Sequence, residues 1–125
     1  MEVRTFGHAL EVDARGKAGP PPMALVLTSL GGCHVALFRH VLRLMKIEWG
    51  EIQLRVEGEE TETEPKVYAQ IHLTYEIKGQ GLSEQRLLRA VAMAEKYCPV
   101  SIMLHNAGVE ITDDVRALEA APPMP

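Results

Sequence analysis

The sequence predicts a single α+β domain in which one long apolar helix packs among antiparallel strands. Apolar residues cover most of the helical circumference between residues 23 and 46. Two later segments alternate apolar and polar residues with a period of two, as half-buried strands do. With 125 residues, of which 46% are hydrophobic, the chain is long enough for one core. We therefore treat residues 1–125 as one domain.

The N-terminal part is predicted to form two short strands and a loop. Residues 3–6 alternate weakly, and residues 9–13 resume the pattern after Gly7, which suits a turn between two strands. Glycine and proline punctuate residues 14–22, so this stretch is predicted to be a loop that leads into the long helix.

The long helix is predicted to be a core element that needs more cover than one sheet provides. Its polar residues gather at the C-terminal end, so we expect the other end to be deeply buried. The uncharged stretch at residues 20–38 is nearly long enough for a membrane span, but its prolines and the Gly31-Gly32 pair favour a core helix. In so short a chain, a partner subunit is the expected source of the missing cover.

Two alternating segments after the helix predict an antiparallel hairpin. Residues 51–57 and residues 67–77 place apolar and polar side chains on opposite faces in turn. Residues 58–65, between them, are rich in glutamate but lack the aspartates and the spacing of a calcium loop. We interpret them as a solvated hairpin tip.

The C-terminal part is predicted to hold two helices, a strand and a tail. Ser83 suits the N-cap of a helix that runs to Tyr97. Pro99 stops this helix and begins a second, short one. A strand at residues 109–112 follows, and a short tail at residues 114–125 is predicted to hold one helical turn.

Composition argues against one kind of partner and indicates a compartment. The net charge is −4 and the chain has no basic run, which argues against a nucleic-acid partner. The N-terminus lacks a basic segment followed by an apolar one, so a cytoplasmic location is expected. A permanent disulfide is not expected in a reducing cytoplasm.

The only two cysteines, Cys33 and Cys98, are the candidate reactive groups. A free cysteine in an apolar helix is often a small core residue, and this interpretation stays open for both. Two consecutive glycines precede Cys33, and each costs about 1 kcal/mol in a helix interior, so a close neighbour is expected there. Cys98 is expected to begin the helix at Pro99, where backbone N–H groups would lower its pKa below the free value of about 8.5.

Two other chemistries are weaker hypotheses. Cys33, His34, Cys98 and His105 could nominally supply four zinc ligands, but the short spacings of zinc sites are missing and adjacent helical residues point in different directions. A Cys/His hydrolase would need a base beside Cys33, and His40 is about 10 Å along the helix axis. The sequence therefore predicts neither a metal nor a cofactor.

The segments around the two cysteines form a pattern that is known from one family. Residues 22–33 consist of a proline, an apolar run and a Gly-Gly-Cys triplet, and residues 97–101 place a Cys-Pro pair at the end of a helix before a final strand. In this order, the two segments are similar to the first- and second-cysteine segments of the OsmC/Ohr family of thiol-dependent hydroperoxide-reducing proteins. The order of elements also matches, from the start of the chain to about Asp113.

The resemblance implies a fold, an assembly and a reaction. It implies an OsmC-like fold in which antiparallel sheets wrap around long central helices in an intertwined homodimer, with each active site at the interface. It also implies that Cys33 attacks an organic hydroperoxide and becomes a sulfenic acid, that Cys98 resolves it as a disulfide, and that an external dithiol reduces the disulfide. Arg15 is the expected cation that activates Cys33, with Arg4 as the second candidate.

One position departs from the family pattern. The glutamate that helps to activate the first cysteine in the family falls at Met23, and the neighbouring Ala24 offers no carboxylate either. This departure favours a second hypothesis, in which the chain is a non-catalytic dimeric module that binds a small apolar ligand or senses redox state. Retention of both cysteines favours the peroxidase.

Overall fold

The computed structural model describes residues 1–119, which form five strands and three helices. In chain order they are β1 (Glu2–Thr5), β2 (His8–Glu11), α1 (Pro22–Leu44), β3 (Glu51–Glu60), β4 (Tyr68–Gly79), α2 (Glu84–Tyr97), α3 (Pro99–Asn106) and β5 (Glu110–Glu119). The first two strands form one sheet, and the other three form a second sheet in the order β3-β4-β5. The predicted α+β class and all three predicted helices are confirmed.

Helix α1 begins at Pro22, whose missing N–H costs nothing in the first turn of a helix. A window of this helix has a mean hydropathy of 1.4, which would suit a membrane span by length and composition. Its inward face, however, places Leu30, Phe38 and Leu42 in the core with no exposed surface. The prediction of a core helix is therefore confirmed for this face. The expectation that the N-terminal end is deeply buried is wrong within the single chain, because residues 22–29 are all exposed or half-buried and the buried positions begin at Leu30.

The core lies between α1, α2 and one face of the larger sheet. Strand β4 is the centre of this sheet, and its alternate residues Ile71, Leu73, Tyr75 and Ile77 are fully or almost fully buried. The antiparallel pairing of β3 with β4 confirms the predicted hairpin. Strand β3 continues to Glu60, so pairing extends into the segment predicted as the hairpin tip, with a register shift between Glu59 and Glu60.

Strand β5 pairs with β4 in parallel, which corrects the prediction that the sheets are wholly antiparallel. The reason is topological, because α2 and α3 lie between the two strands in the chain. A helical crossover of this length returns the chain to the starting edge of the sheet, and the next strand then runs parallel to the last. Mixed pairing therefore follows from the order of elements that the sequence itself predicts.

The predicted tail is also partly wrong, because β5 runs on to Glu119. Residues 113–119 are extended and paired with β4 rather than turning into a helix. The sequence did not predict this part of the strand because Asp113 interrupts the alternation. It places a carboxylate at a half-buried position where the period of two requires an apolar residue. The rest of the predicted tail, residues 120–125, lies outside the described residues.

The hairpin of β1 and β2 leaves every residue of both strands exposed. Its turn contains Phe6 and Gly7, both with positive φ, and the Phe6 side chain is 97% exposed. An aromatic residue in the left-handed region, with its ring in solvent, is unusual in an isolated domain. Val3 and Leu10 add further exposed apolar surface to the same hairpin.

Candidate functional site

The two cysteines lie side by side between α1 and the junction of α2 with α3. Cys98 is fully buried among Leu30, Ile71 and Leu73, and the half-exposed Cys33 packs against the same group. Cys33 lies close enough for its thiol to raise the pKa of Cys98, and both cysteines are free. The structure thus brings the two predicted cysteines together and leaves Cys33 the more accessible.

Cys98 is the N-cap residue of α3, and its sulfur accepts a hydrogen bond from the backbone N–H of Ser101 at 3.4 Å. Burial nevertheless raises the pKa of Cys98, the neighbouring Cys33 thiol adds to this rise and the Ser101 N–H opposes it, so that the pKa is about 11. The expected fall in this pKa is therefore wrong. The sequence predicted the start of α3 correctly but could not show that its N-cap residue, Cys98, lies in the core.

An open apolar groove of about 760 Å³ runs along another face of α1, where Gly31, Gly32 and Val35 lie opposite Val56 of β3. A Cβ atom added at Gly31 would lie 3.0 Å from Cγ2 of Val56, so the expected close neighbour exists at this glycine. A Cβ atom at Gly32 would meet nothing within 4 Å. The glycine pair therefore shapes the groove rather than the surroundings of the sulfurs.

Arg15, the predicted activating cation, is exposed in the loop between β2 and α1. The carboxylate of Asp13 organises this loop, because it accepts the backbone N–H groups of Ala18 and Arg15, and these bonds lower the pKa of Asp13. Within residues 1–119 the Arg15 guanidinium makes no ion pair, whereas Arg4 pairs with Glu2 at 2.7 Å. Arg15 is thus available for contact with another molecule.

A polar cluster that the sequence analysis missed lies beside the cysteines. Glu95 of α2 accepts hydrogen bonds from Nε2 of His34 and Nε2 of His105, each at 2.8 Å, and from the hydroxyl of Ser101. These four residues are called the Glu95 cluster below. His34 and Ser101 are fully buried, the Glu95 side chain is 18% exposed, and His105 lies at the surface.

The donors of the Glu95 cluster keep its carboxylate ionised. Burial alone would raise the pKa of Glu95, but the hydrogen bonds from His34, Ser101 and His105 lower it to about 2. Because an ionised carboxylate only accepts, we assign the Nε2 proton of His34 to this bond. In the neutral ring, Nδ1 then accepts the hydroxyl of Tyr75 at 2.7 Å, and burial raises the pKa of Tyr75 so that this hydroxyl keeps its proton.

The weaker chemistries find no support in this geometry. His40 is exposed, and His34 and His105 both donate to Glu95. Across residues 1–119 no three His, Cys, Asp or Glu side chains are grouped in a way that would hold a metal ion.

Fold and site together define a class of protein: an α+β domain with a dithiol, in which one cysteine lies on a long helix and the other begins a short helix against it. A family model described as OsmC-like protein matches residues 14–112. The chain belongs to this family, which confirms the resemblance found at the two cysteine segments.

Individual relatives agree with this assignment. Protein YhfA of Escherichia coli is 31% identical over 116 residues, which cover 91% of this chain and 86% of the relative. The crystal structure of an OsmC-like protein from Mycoplasma pneumoniae has a TM-score of 0.82 at 21% identity, covering 94% of this chain and 87% of its own. The organic hydroperoxide resistance protein OsmC of Legionella pneumophila has a TM-score of 0.66 at 23% identity, covering 79% and 71%. The last two likenesses concern the fold.

Proposed function

We propose that the chain reduces organic hydroperoxides, with Cys33 as the attacking thiolate and Cys98 as the resolving thiol. One observation supports the proposal: the half-buried Cys33 packs beside the fully buried Cys98. A peroxide therefore meets Cys33 first, and Cys98 is already beside the product. The Legionella relative, named as an organic hydroperoxide resistance protein, supports the substrate class.

The proposed reaction has three balanced steps. The Cys33 thiolate attacks the terminal oxygen of the hydroperoxide, the O–O bond breaks, and a sulfenic acid and an alkoxide form, which takes a proton to give the alcohol. The Cys98 thiol then attacks the Cys33 sulfur, so that a disulfide forms and water leaves. An external dithiol in the cytoplasm donates two electrons and two protons to restore both thiols.

A cation beside Cys33 would stabilise the attacking thiolate. We propose that Arg15 supplies this charge and that assembly of the homodimer brings it to the site. The exposed and unpaired state of its guanidinium among the described residues supports this role. Arg15→Ala should then slow the first step, and Arg15→Lys should restore part of the rate through its charge.

Two surfaces support the homodimer. The groove on α1 exposes apolar and small residues on the longest helix of the chain. The β1–β2 hairpin presents the apolar residues Val3, Phe6 and Leu10 to solvent. Contiguous apolar surface of this kind marks protein interfaces in general. A second copy of the chain would cover both surfaces and supply the additional cover that the sequence predicted for the long helix.

Single-turnover assays of two variants test the reaction. Cys98→Ser should consume about one equivalent of cumene hydroperoxide and stop at a sulfenic acid on Cys33 that dimedone traps. Cys33→Ser should consume none. Retention of full single-turnover reactivity in Cys33→Ser would overturn the roles assigned to the two sulfurs.

A non-catalytic dimeric module remains the second candidate function. Met23 stands where the family has an activating glutamate, and the apolar groove offers space for a small apolar ligand. This candidate predicts that the parent chain and both cysteine variants are all inert to hydroperoxides while they retain the same assembly. A hydrophobic fluorescent probe that binds the parent but not a variant with a filled groove would support it.

A further inference from the structure

The Glu95 cluster connects the two helical segments that carry the cysteines. His34, the residue after Cys33 on α1, donates to Oε2 of Glu95 at 2.8 Å. Ser101, in the first turn of α3, donates its hydroxyl to Oε1 of Glu95 and its backbone N–H to the sulfur of Cys98. The Glu95 carboxylate is therefore hydrogen-bonded both to the neighbour of Cys33 in the chain and to the residue that binds the Cys98 sulfur.

These bonds form a closed ring that burial makes rigid. Cys33 and His34 are neighbours in the chain, and His34 is hydrogen-bonded to Glu95. Glu95 is hydrogen-bonded to Ser101, and Ser101 is hydrogen-bonded to Cys98. The packing of Cys98 beside Cys33 completes the ring. His34 and Ser101 are fully buried, so water does not compete for their partners. Hydrogen bonds to an ionised carboxylate are about twice as strong as neutral ones. Movement of Cys98 away from Cys33 would break at least one bond of the ring.

We infer that Glu95 is a positioning residue for the dithiol, which holds Cys98 against Cys33 and so favours closure of the disulfide between them. A thiol fixed beside its target reacts at a high effective concentration, and a small displacement lowers this concentration strongly. Glu95 makes its hydrogen bonds to His34, Ser101 and His105, so it acts on the sulfurs through these neighbours. The inference rests on the proposed function only in requiring that these two cysteines form a disulfide with each other.

Equilibration of the full chain with reduced and oxidised glutathione measures the effective concentration without any peroxide. One oxidised glutathione takes up two electrons and becomes two reduced molecules, while the two protein thiols lose their hydrogens and form the disulfide. Alkylation of the remaining thiols and mass measurement then give the ratio of oxidised to reduced protein at each glutathione composition.

We expect Glu95→Ala to lower the effective concentration about tenfold, which corresponds to a shift of about 30 mV in the reduction potential. Ser101→Ala should lower it by a smaller factor, because it removes only one bond to the carboxylate. Glu95→Gln should recover part of the loss, since an amide oxygen still accepts from Ser101.

Glu84→Ala is the matched control, because Glu84 lies on the same helix and its carboxylate accepts the backbone N–H of Ala117 at 3.1 Å. Its potential should match that of the parent. The inference is wrong if Glu95→Ala and Ser101→Ala both keep the parent potential, or if Glu84→Ala shifts it equally. A parent that closes the disulfide in glutathione but consumes no peroxide contradicts the proposed function alone. A parent that closes no disulfide contradicts both.

Discussion

Cys33 on α1 packs beside Cys98, the N-cap residue of α3, although the two residues belong to different helical segments. Their surroundings differ: Cys98 has no exposed surface, whereas Cys33 is half-buried. Burial, together with the neighbouring Cys33 thiol, raises the pKa of Cys98 to about 11, so this sulfur is a thiol at neutral pH. This asymmetry supports the proposal that Cys33 attacks and Cys98 resolves.

The asymmetry predicts the order in which the two thiols are alkylated. Iodoacetamide at neutral pH should modify Cys33 first and leave Cys98 unmodified, because only the thiolate reacts and Cys98 is both buried and protonated. Peptide mapping after short exposures gives the two rates. After denaturation in urea both cysteines should react alike. Faster modification of Cys98 in the folded chain would contradict the assigned roles.

Loss of the Tyr75 hydroxyl should destabilise the fold by leaving a buried ring nitrogen of His34 without a partner. We expect Tyr75→Phe to lower the free energy of unfolding by about 1–3 kcal/mol. Tyr68→Phe is the control, because the Tyr68 hydroxyl donates to the carbonyl of Met23 at an exposed position and its removal should cost less than about 1 kcal/mol. Urea denaturation of the two variants measures both values, and equal losses would count against the buried network.

Glu95 should make the protein sensitive to acid in a defined range. The pKa of this carboxyl is lowered from 4.5 to about 2 in the folded chain, so the unfolded chain takes up the proton first as the pH falls. Stability from this group is present above pH 4.5 and is lost between 4.5 and about 2. Glu95→Gln, which does not titrate, should flatten the pH dependence of unfolding in that range. An unchanged slope would show that the carboxylate is not held as described.

Filling the groove on α1 should separate the proposed dimer without destabilising the subunit. A side chain at Gly32 would meet no neighbour in the single chain, so Gly32→Arg should fold normally and sediment as a monomer where the parent sediments as a dimer. Gln53→Arg, at an exposed position of β3, is the control and should stay dimeric. A parent that sediments as a monomer at micromolar concentration would contradict the assembly itself.

The β3–β4 hairpin could be predicted because both strands alternate with a period of two, and the helices could be predicted from the long apolar run of α1 and from the Ser83 and Pro99 signals of α2 and α3. The course of β5 could not, since Asp113 breaks the alternation at a half-buried position. Burial raises the pKa of Asp113 and the nearby charge of Glu95 raises it further. Glu95 lies on another element, so a local pattern does not reveal this environment.

The cysteine pair could be predicted from sequence, but the Glu95 cluster could not. Glu95 and Ser101 do each lie three positions from Cys98, which is a local signal in the sequence. His34, in contrast, is 61 positions from Glu95, and only the packing of α1 against α2 brings the two together. The error in the predicted pKa of Cys98 has the same origin, because burial is a property of the assembled core.

Addition of one equivalent of cumene hydroperoxide to the reduced chain, followed by intact-mass measurement and peptide mapping, tests whether peroxide reduction joins Cys33 to Cys98. We expect a product lighter than the parent by two hydrogen atoms, with Cys33 and Cys98 joined in a disulfide and the peroxide converted to cumyl alcohol. An unchanged mass, with both cysteines still open to alkylation after unfolding and the peroxide intact, would contradict it.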